Sequence, residues 1–292
     1  MIKFIVFMGC NKKQYPYLKR LKELNYKIIL IDKNRKSVGR KISHQYFSSS
    51  YLDIKKLNLI YKKIKTQNIV NIFTASSQFS YVGASYLAQK LKLSYPSFKN
   101  INICLSKNLF YNFFKKHDLK VPKCFKIKNK KELKKNLKNK KHYQFFYLKS
   151  DYGKSPFYLY KGYPKTLLET NINWKKNQFF RKNYILQKRF VGRDLRINIF
   201  KNKFEIYDFN SGKMLKINNF PILKKNNIIK KLHNVSNDLG MKNWILKFDI
   251  ILDKHDYQVL DIGIDPPARM IKHWKRLNKN FVSFYLNLYL KK

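Results

Sequence analysis

Trp244-Ile245-Leu246-Lys247-Phe248-Asp249-Ile250-Ile251-Leu252, then the short polar turn Asp253-Lys254-His255-Asp256, then Tyr257-Gln258-Val259-Leu260-Asp261-Ile262-Gly263-Ile264-Asp265, is the stretch whose reading decides the fold. Both apolar runs alternate like strands and each buries a carboxylate among its hydrophobics. In the hairpin this predicts, Asp249 and Asp261 face each other across the pair. Facing carboxylates repel unless a cation lies between them. The plainer alternative is a pair of strand-end acids in surface ion pairs with the plentiful lysines.

Upstream, Tyr184-Ile185-Leu186-Gln187-Lys188-Arg189-Phe190 is a further apolar run that ends at Val191-Gly192-Arg193-Asp194. Alone, this also suits a hairpin corner, with Gly192 at positive φ and Asp194 in the turn. Phe145-Phe146-Tyr147-Leu148-Lys149 ends a strand on a lysine, and a buried ammonium is costly unless it meets an anion. After it comes Ser150-Asp151-Tyr152-Gly153-Lys154-Ser155-Pro156, a loop able to close over phosphates through N–H groups, Lys154 and Ser155. Leu105-Ser106-Lys107-Asn108 opens a helix over 106–117, and Lys120-Val121-Pro122 follows it. The runs Phe145–Lys149, Phe157–Tyr160, Tyr184–Phe190 and Leu195–Phe200 read as one antiparallel sheet. Periodicity from Ile271 to Leu290 predicts one terminal helix.

The first hundred residues alternate strand and helix: strands at 2–8, 27–31 and 69–73, helices from Tyr17, over 53–65 and over 81–91. That is a parallel α/β sheet. The first turn, Gly9-Cys10-Asn11-Lys12-Lys13, lacks the further glycines of a dinucleotide fingerprint, so Asp32 reads as a strand-end residue and not a ribose ligand of NAD.

Taken in order, these elements resemble the ATP-grasp superfamily, in particular its carboxylate–amine ligases, over nearly the whole chain. The resemblance implies an α/β protein: an N-terminal parallel (pre-ATP-grasp) domain, 1–100, then two α+β lobes, 101–190 and 191–292, clamping ATP. It assigns Lys107 and Lys149 to the phosphates, with Lys154 and Ser155 in the covering loop. Gln187 stands where an acid is common, Lys188, Arg189 and Phe190 form the adenine hinge, and Asp194 takes the ribose hydroxyls. Asp249 and Asp261 match the Mg²⁺-binding pair, an acid on one strand and acid–any–Asn on the next. Lys247 matches a basic position near the transferring phosphate, and Arg269 one that faces the acyl substrate. Three positions depart from the pattern. Ser106 replaces an Asp, the 150–156 loop has one glycine, and Gly263 replaces the metal-site Asn. Asp265, on the same strand face as Gly263, can supply the missing oxygen. The implied activity is ATP- and Mg²⁺-dependent: a small-molecule carboxylate becomes an acyl phosphate and an amine or other nucleophile attacks it. The departures also fit a degenerate domain that binds nucleotide or an anionic partner without turnover.

Composition sets outer bounds. With 44% hydrophobic and 16% aromatic residues, the 292-residue chain can bury a sizeable core. No apolar run reaches membrane-span length, and the N-terminus lacks a signal-peptide cleavage pattern, so a cytoplasmic, membrane-free protein is expected. The three cysteines are dispersed and the six histidines scattered, against a disulfide framework or zinc site. No nucleophile elbow or Gly-x-x-x-x-Gly-Lys loop occurs. The net charge of +48 comes overwhelmingly from Lys, alongside abundant Asn, Ile, Tyr and Phe. All have AT-rich codons, so codon bias accounts for the charge and no nucleic-acid partner is assigned; a basic nucleic-acid-binding protein is the remaining alternative. Homodimerisation is left open. Against so basic a background, the 16 carboxylates each carry unusual information.

Overall fold

The computed structural model describes residues 2–138, 140–152, 159–172, 174 and 183–290. Lys154, Ser155 and the start of the run read at 157–160 lie outside them.

Three sheets follow one another along the chain. The first is parallel, in the order β3-β2-β1-β4, from β1 (Phe4–Met8), β2 (Lys27–Ile31), β3 (Gln45–Phe47) and β4 (Ile69–Phe73). Helices cover both faces, which is why β1 and β2 read as continuous apolar runs. Ile5, Phe7, Ile28 and Leu30 pack under α1 (Tyr15–Glu23). Val6, Met8, Ile29 and Ile31 pack under α2 (Ile54–Ile64) and α3 (Ser80–Lys90). Asp32, just past β2, accepts from the Cys10 N–H at 2.8 Å and the Asn34 N–H at 2.9 Å, so it ties the first turn to the sheet edge.

Helices α4 (Phe98–Leu105) and α5 (Lys107–Lys115) lead to an antiparallel sheet in the order β5-β8-β6-β7. Its strands are β5 (Cys124–Ile127), β6 (Phe146–Ser150), β7 (Leu159–Gly162) and β8 (Tyr184–Lys188). The basic segment after β5 forms α6 (Lys130–Leu137). Its N-terminus is capped by Asn129, which accepts from the Glu132 N–H, while the Glu132 carboxylate reaches back to the Lys128 N–H. Leu133 and Leu137, with Leu167 of α7 (Pro164–Glu169), cover Phe146, Leu148, Tyr184 and Leu186. Strand alternation turns Tyr147, Lys149 and Gln187 to the opposite face.

The third sheet is antiparallel, in the order β11-β10-β9-β12-β13. It comprises β9 (Arg193–Phe200), β10 (Lys203–Asp208), β11 (Met214–Leu215), β12 (Leu246–Leu252) and β13 (Tyr257–Gly263). Leu195, Ile197, Leu246 and Phe248 form its apolar face with Leu232 and Val235 of α9 (Ile228–Asp238); the short α8 (Pro221–Lys225) precedes α9. The run at 195–200 therefore does not join the strands at 146–188 in one sheet, as its sequence spacing implied. The chain crosses to β12 at Gly192, where an added Cβ would stand 2.4 Å from the Leu252 carbonyl oxygen. That close approach, not a positive φ, requires the glycine.

The predicted terminal helix is two, α10 (Ala268–Arg276) and α11 (Phe281–Leu290), broken where Asn278 takes a left-handed φ of 53°. The break returns α11 to the first sheet. There the Asn71 amide donates to the Tyr289 carbonyl at 3.0 Å, and the Tyr285 hydroxyl lies 3.3 Å from that of Tyr81.

Candidate functional site

The hairpin register sets the floor of the site. Asp261 of β13 pairs with Asp249 of β12, Asp249 with Arg196 of β9, and Arg196 with Tyr207 of β10. The next row reads Gly263, Lys247, Asn198, Glu205 across the same strands. Neighbours within a row are about 4.8 Å apart and the rows share one face, so acids and cations interleave as a polar sheet surface.

Arg196 answers the repulsion between the two acids. Its Nε and Nη2 donate to the two Asp249 carboxylate oxygens at 2.6 and 2.8 Å, with only 9% and 19% of the two side chains exposed. Lys247, 4% exposed, meets Asp265 at 2.7 Å, and the Gln78 amide donates to the same carboxylate at 3.2 Å. Asp261 accepts from the Ile262 N–H at 3.0 Å and forms no ion pair among the described residues. Asn198 is fully buried, yet among the described residues neither atom of its carboxamide has a hydrogen-bond partner.

Opposite this floor, the second sheet presents Lys149. Burial, then the neighbouring Lys107, pull its ammonium down to about 8, while Asp261 and Asp249 act the other way. Lys149 is thus within electrostatic reach of both floor acids. Lys107, the first residue of α5, is held beside it by Asp151. The Asp151 carboxylate accepts from the Asn108 N–H at 2.8 Å and from the Ser106 hydroxyl at 3.1 Å, and its carbonyl accepts from the Lys107 N–H at 2.8 Å. An acid therefore does sit at the start of this helix, where its charge suits the exposed N–H groups. It arrives from the end of β6 and not from position 106.

The hinge residues divide between the two faces. Gln187 is buried, and its Oε1 lies 3.2 Å from the Tyr111 hydroxyl, which also reaches the Leu260 carbonyl at 3.0 Å. Lys188, Arg189 and Phe190 line a cavity of about 400 Å³ with Asp253 and Gln258 of the hairpin. Arg189 also stacks over Phe145 at 5.5 Å. Asp194 lies on β9 one step from Arg196 on the same face. Burial raises its carboxyl, as do Asp249 and Asp208, against the opposing Arg189. Arg269 leaves the first turn of α10, donates through Nε to the Phe209 carbonyl at 2.9 Å, and lies 3.9 Å over that residue's ring; Arg196 sits over the same ring at 5.1 Å.

Among the described residues no group of three His, Cys, Asp or Glu side chains forms a metal cage. Mg²⁺ bound with a nucleotide needs less, one or two carboxylates plus phosphate oxygens and water. Asp261, with the outer lone pairs of Asp249, fits that demand. The other end does not: Gly263 offers no side-chain oxygen and Asp265 is held by Lys247.

Arg196, Asn198 and Asp151 escape a reading by motif. Alternation from Asp194 puts 196 and 198 on its face, a signal present in the sequence. Nothing local announces that Asp151 reaches a helix 43 residues earlier.

No protein-family profile matches the chain, and no curated protein does. Solved structures do. An L-amino acid ligase from Bacillus licheniformis superposes with a TM-score of 0.72 at 14% identity, over 99% of this chain and 74% of that one. D-alanine–D-alanine ligase from Bacillus anthracis gives 0.63 at 14%, over 100% and 97%. N5-carboxyaminoimidazole synthetase from Staphylococcus aureus, complexed with ADP, gives 0.69 at 13%, over 98% and 77%.

Proposed function

We propose that this chain, which has the ATP-grasp fold, is an ATP-dependent ligase that activates a small-molecule carboxylate as an acyl phosphate for attack by an amine. One observation carries the reading. The buried Lys107 and the half-buried Lys149 lie close enough for one ammonium to depress the other, opposite acids that can share a metal ion with phosphate. Two neighbouring ammonium groups of this kind favour an anion between them, and a polyphosphate is one that fits. The structural neighbours, two named as amino-acid ligases and one complexed with ADP, support the same class.

In this reading a substrate carboxylate oxygen attacks the terminal phosphorus of ATP, and ADP leaves with the bond's electron pair. The amine then attacks the acyl carbon, phosphate departs, and the amine's proton passes to solvent. Asp261 and Asp249 would hold Mg²⁺, which when bound would neutralise charge on the phosphate oxygens. Lys107 and Lys149 hold the phosphates, with Lys154 and Ser155 over them, and Lys247 faces the transferring group. Lys188, Arg189 and Phe190 border the adenine, Gln187 lies beneath it, and Asp194 takes the ribose. Arg269 orients the acyl group.

The test is thermal unfolding with ATP and Mg²⁺ at moderate salt, with inorganic polyphosphate as the charge control. A ligand at a hundred times its Kd adds about 2.7 kcal/mol, several degrees of shift. A Mg²⁺-dependent shift with ATP and none with polyphosphate supports the reading; equal shifts sink it.

A further inference from the structure

Helix α5 meets the second sheet at two places along the cleft. At the first, Lys107 lies near Lys149 of β6, which pairs with Ile185 of β8. The second is one helical turn on, about 6 Å along α5. There Tyr111 meets Gln187, two residues and about 7 Å further along β8 toward the hinge. Tyr111 and Gln187 are each only 2% exposed. The Tyr111 hydroxyl has one proton and two acceptors within reach, Gln187 Oε1 at 3.2 Å and the Leu260 carbonyl at 3.0 Å. The other end of the carboxamide, Nε2, has no hydrogen-bond partner among the described residues. Unlike the atoms of the Asn198 amide it is not sealed in, and it lies on the sheet face that looks into the cleft.

A carboxamide has a donor end and an acceptor end of nearly one shape, so either orientation fits the same space. With Tyr111 donating to Oε1, the Gln187 amide group Nε2 is offered to the cleft. With the amide turned, Nε2 donates to the Tyr111 oxygen, Tyr111 gives its proton to the Leu260 carbonyl, and Oε1 is offered instead. The hydroxyl proton has an acceptor in both states. We propose, resting on the ligase reading of this cleft, that the Tyr111–Gln187 pair is a two-way reader of purine position 6. Oε1 accepts from the 6-amino group of ATP, and Nε2 donates to the oxygen of a 6-oxo purine triphosphate such as GTP, so both classes are taken. Adenine and guanine differ at that position as donor and acceptor. An ionised acid, common at this position in the family the sequence resembles, only accepts, and would set two acceptors face to face with a 6-oxo base. Gln187 relaxes the choice, and Tyr111 lets the amide turn without stranding its buried end.

The measurement is equilibrium binding of ATP and of inosine triphosphate, each with Mg²⁺, to the full chain at one salt concentration. Inosine carries a 6-oxo group and a proton on N1. Any effect at N1 is common to all variants, so a change in the ratio of the two Kd values reads Gln187. Wild type should bind the two nucleotides within ~10-fold of each other. Gln187→Glu should move the ratio at least ~10-fold against inosine triphosphate. Gln187→Met, which keeps the length and removes the amide, should weaken both nucleotides by a similar factor of ~5 or more. Melting curves show which variants are folded, and either folded variant, taken with wild type, decides. A wild-type preference for ATP beyond ~10-fold overturns the inference. So does a smaller change of ratio in folded Gln187→Glu, or a smaller loss in folded Gln187→Met. If neither nucleotide binds, the ligase reading falls; if ATP binds and inosine triphosphate does not, that reading stands and this inference alone falls.

Discussion

Arg196 and Asp249 form a two-pronged ion pair across β9 and β12, at 2.6 and 2.8 Å, directly between Tyr207 and the facing acid Asp261. The pair explains how two carboxylates are tolerated at opposed positions of one hairpin. A cation from the third strand neutralises one of them before any metal arrives.

Removing one partner of such a pair strands the other. Arg196→Met should cost about 3 kcal/mol, the low end for a broken buried pair because Asp249 keeps some solvent. Urea unfolding measures it, and Arg196→Met combined with Asp249→Asn should recover most of the loss. A single-variant cost below ~1 kcal/mol, the range of exposed pairs, would show the pair to be a surface contact.

Lys149 fixes a pH dependence. Its ammonium titrates near 8 in the folded chain against 10.5 ordinarily, because of burial first and then Lys107. Between those values the unfolded chain holds the proton and the folded chain has lost it, so stability rises with pH through that window. Lys149→Met should flatten this rise. An anion bound at Lys149 restores the charge, so ATP binding near pH 8 should take up a fraction of a proton. Calorimetry in two buffers of different ionisation heat reads that uptake directly, and a buffer-independent heat contradicts it.

Asn198 supplies a test of whether a ligand meets the buried floor of the site. Its carboxamide is buried with both atoms unpartnered among the described residues, a burden of about 1–3 kcal/mol. Asn198→Leu should raise the melting temperature of the ligand-free protein and reduce the shift produced by ATP and substrate. A variant that is both more stable and fully responsive to ligand would mean that the amide has no ligand to meet.

Asp151→Ala removes the side chain that accepts from Asn108 and Ser106, at about 1 kcal/mol for a lost helix cap. It should also weaken ATP binding by letting Lys107 drift from Lys149. Comparing the loss of melting temperature with the loss of ATP affinity separates the two effects; unchanged affinity would confine Asp151 to structure.

Asp261→Asn should keep the fold, since among the described residues Asp261 makes only a local backbone hydrogen bond, and abolish Mg²⁺-dependent turnover. Phosphate release with candidate carboxylate and amine pairs measures it, with circular dichroism as the folding control.

Local pattern alone determined much of this protein. Continuous apolar runs at 4–8 and 27–31 required a sheet covered on both faces, and alternation through 246–263 required the hairpin that opposes Asp249 to Asp261. Such periodicities follow from backbone geometry and need no distant partner. Distant partners decided the rest. Gly192's approach to Leu252 sent β9 to a different sheet from its sequence neighbours, and one left-handed residue, Asn278, split the last helix and returned α11 to the first sheet. The same holds in the site. The sequence supplied the acids and lysines, but which cation meets which acid depends on register between strands dozens of residues apart. Arg196 on Asp249, Asp151 on α5, and Lys247 beside Gly263 are all contacts of that kind, made by packing and not by spacing.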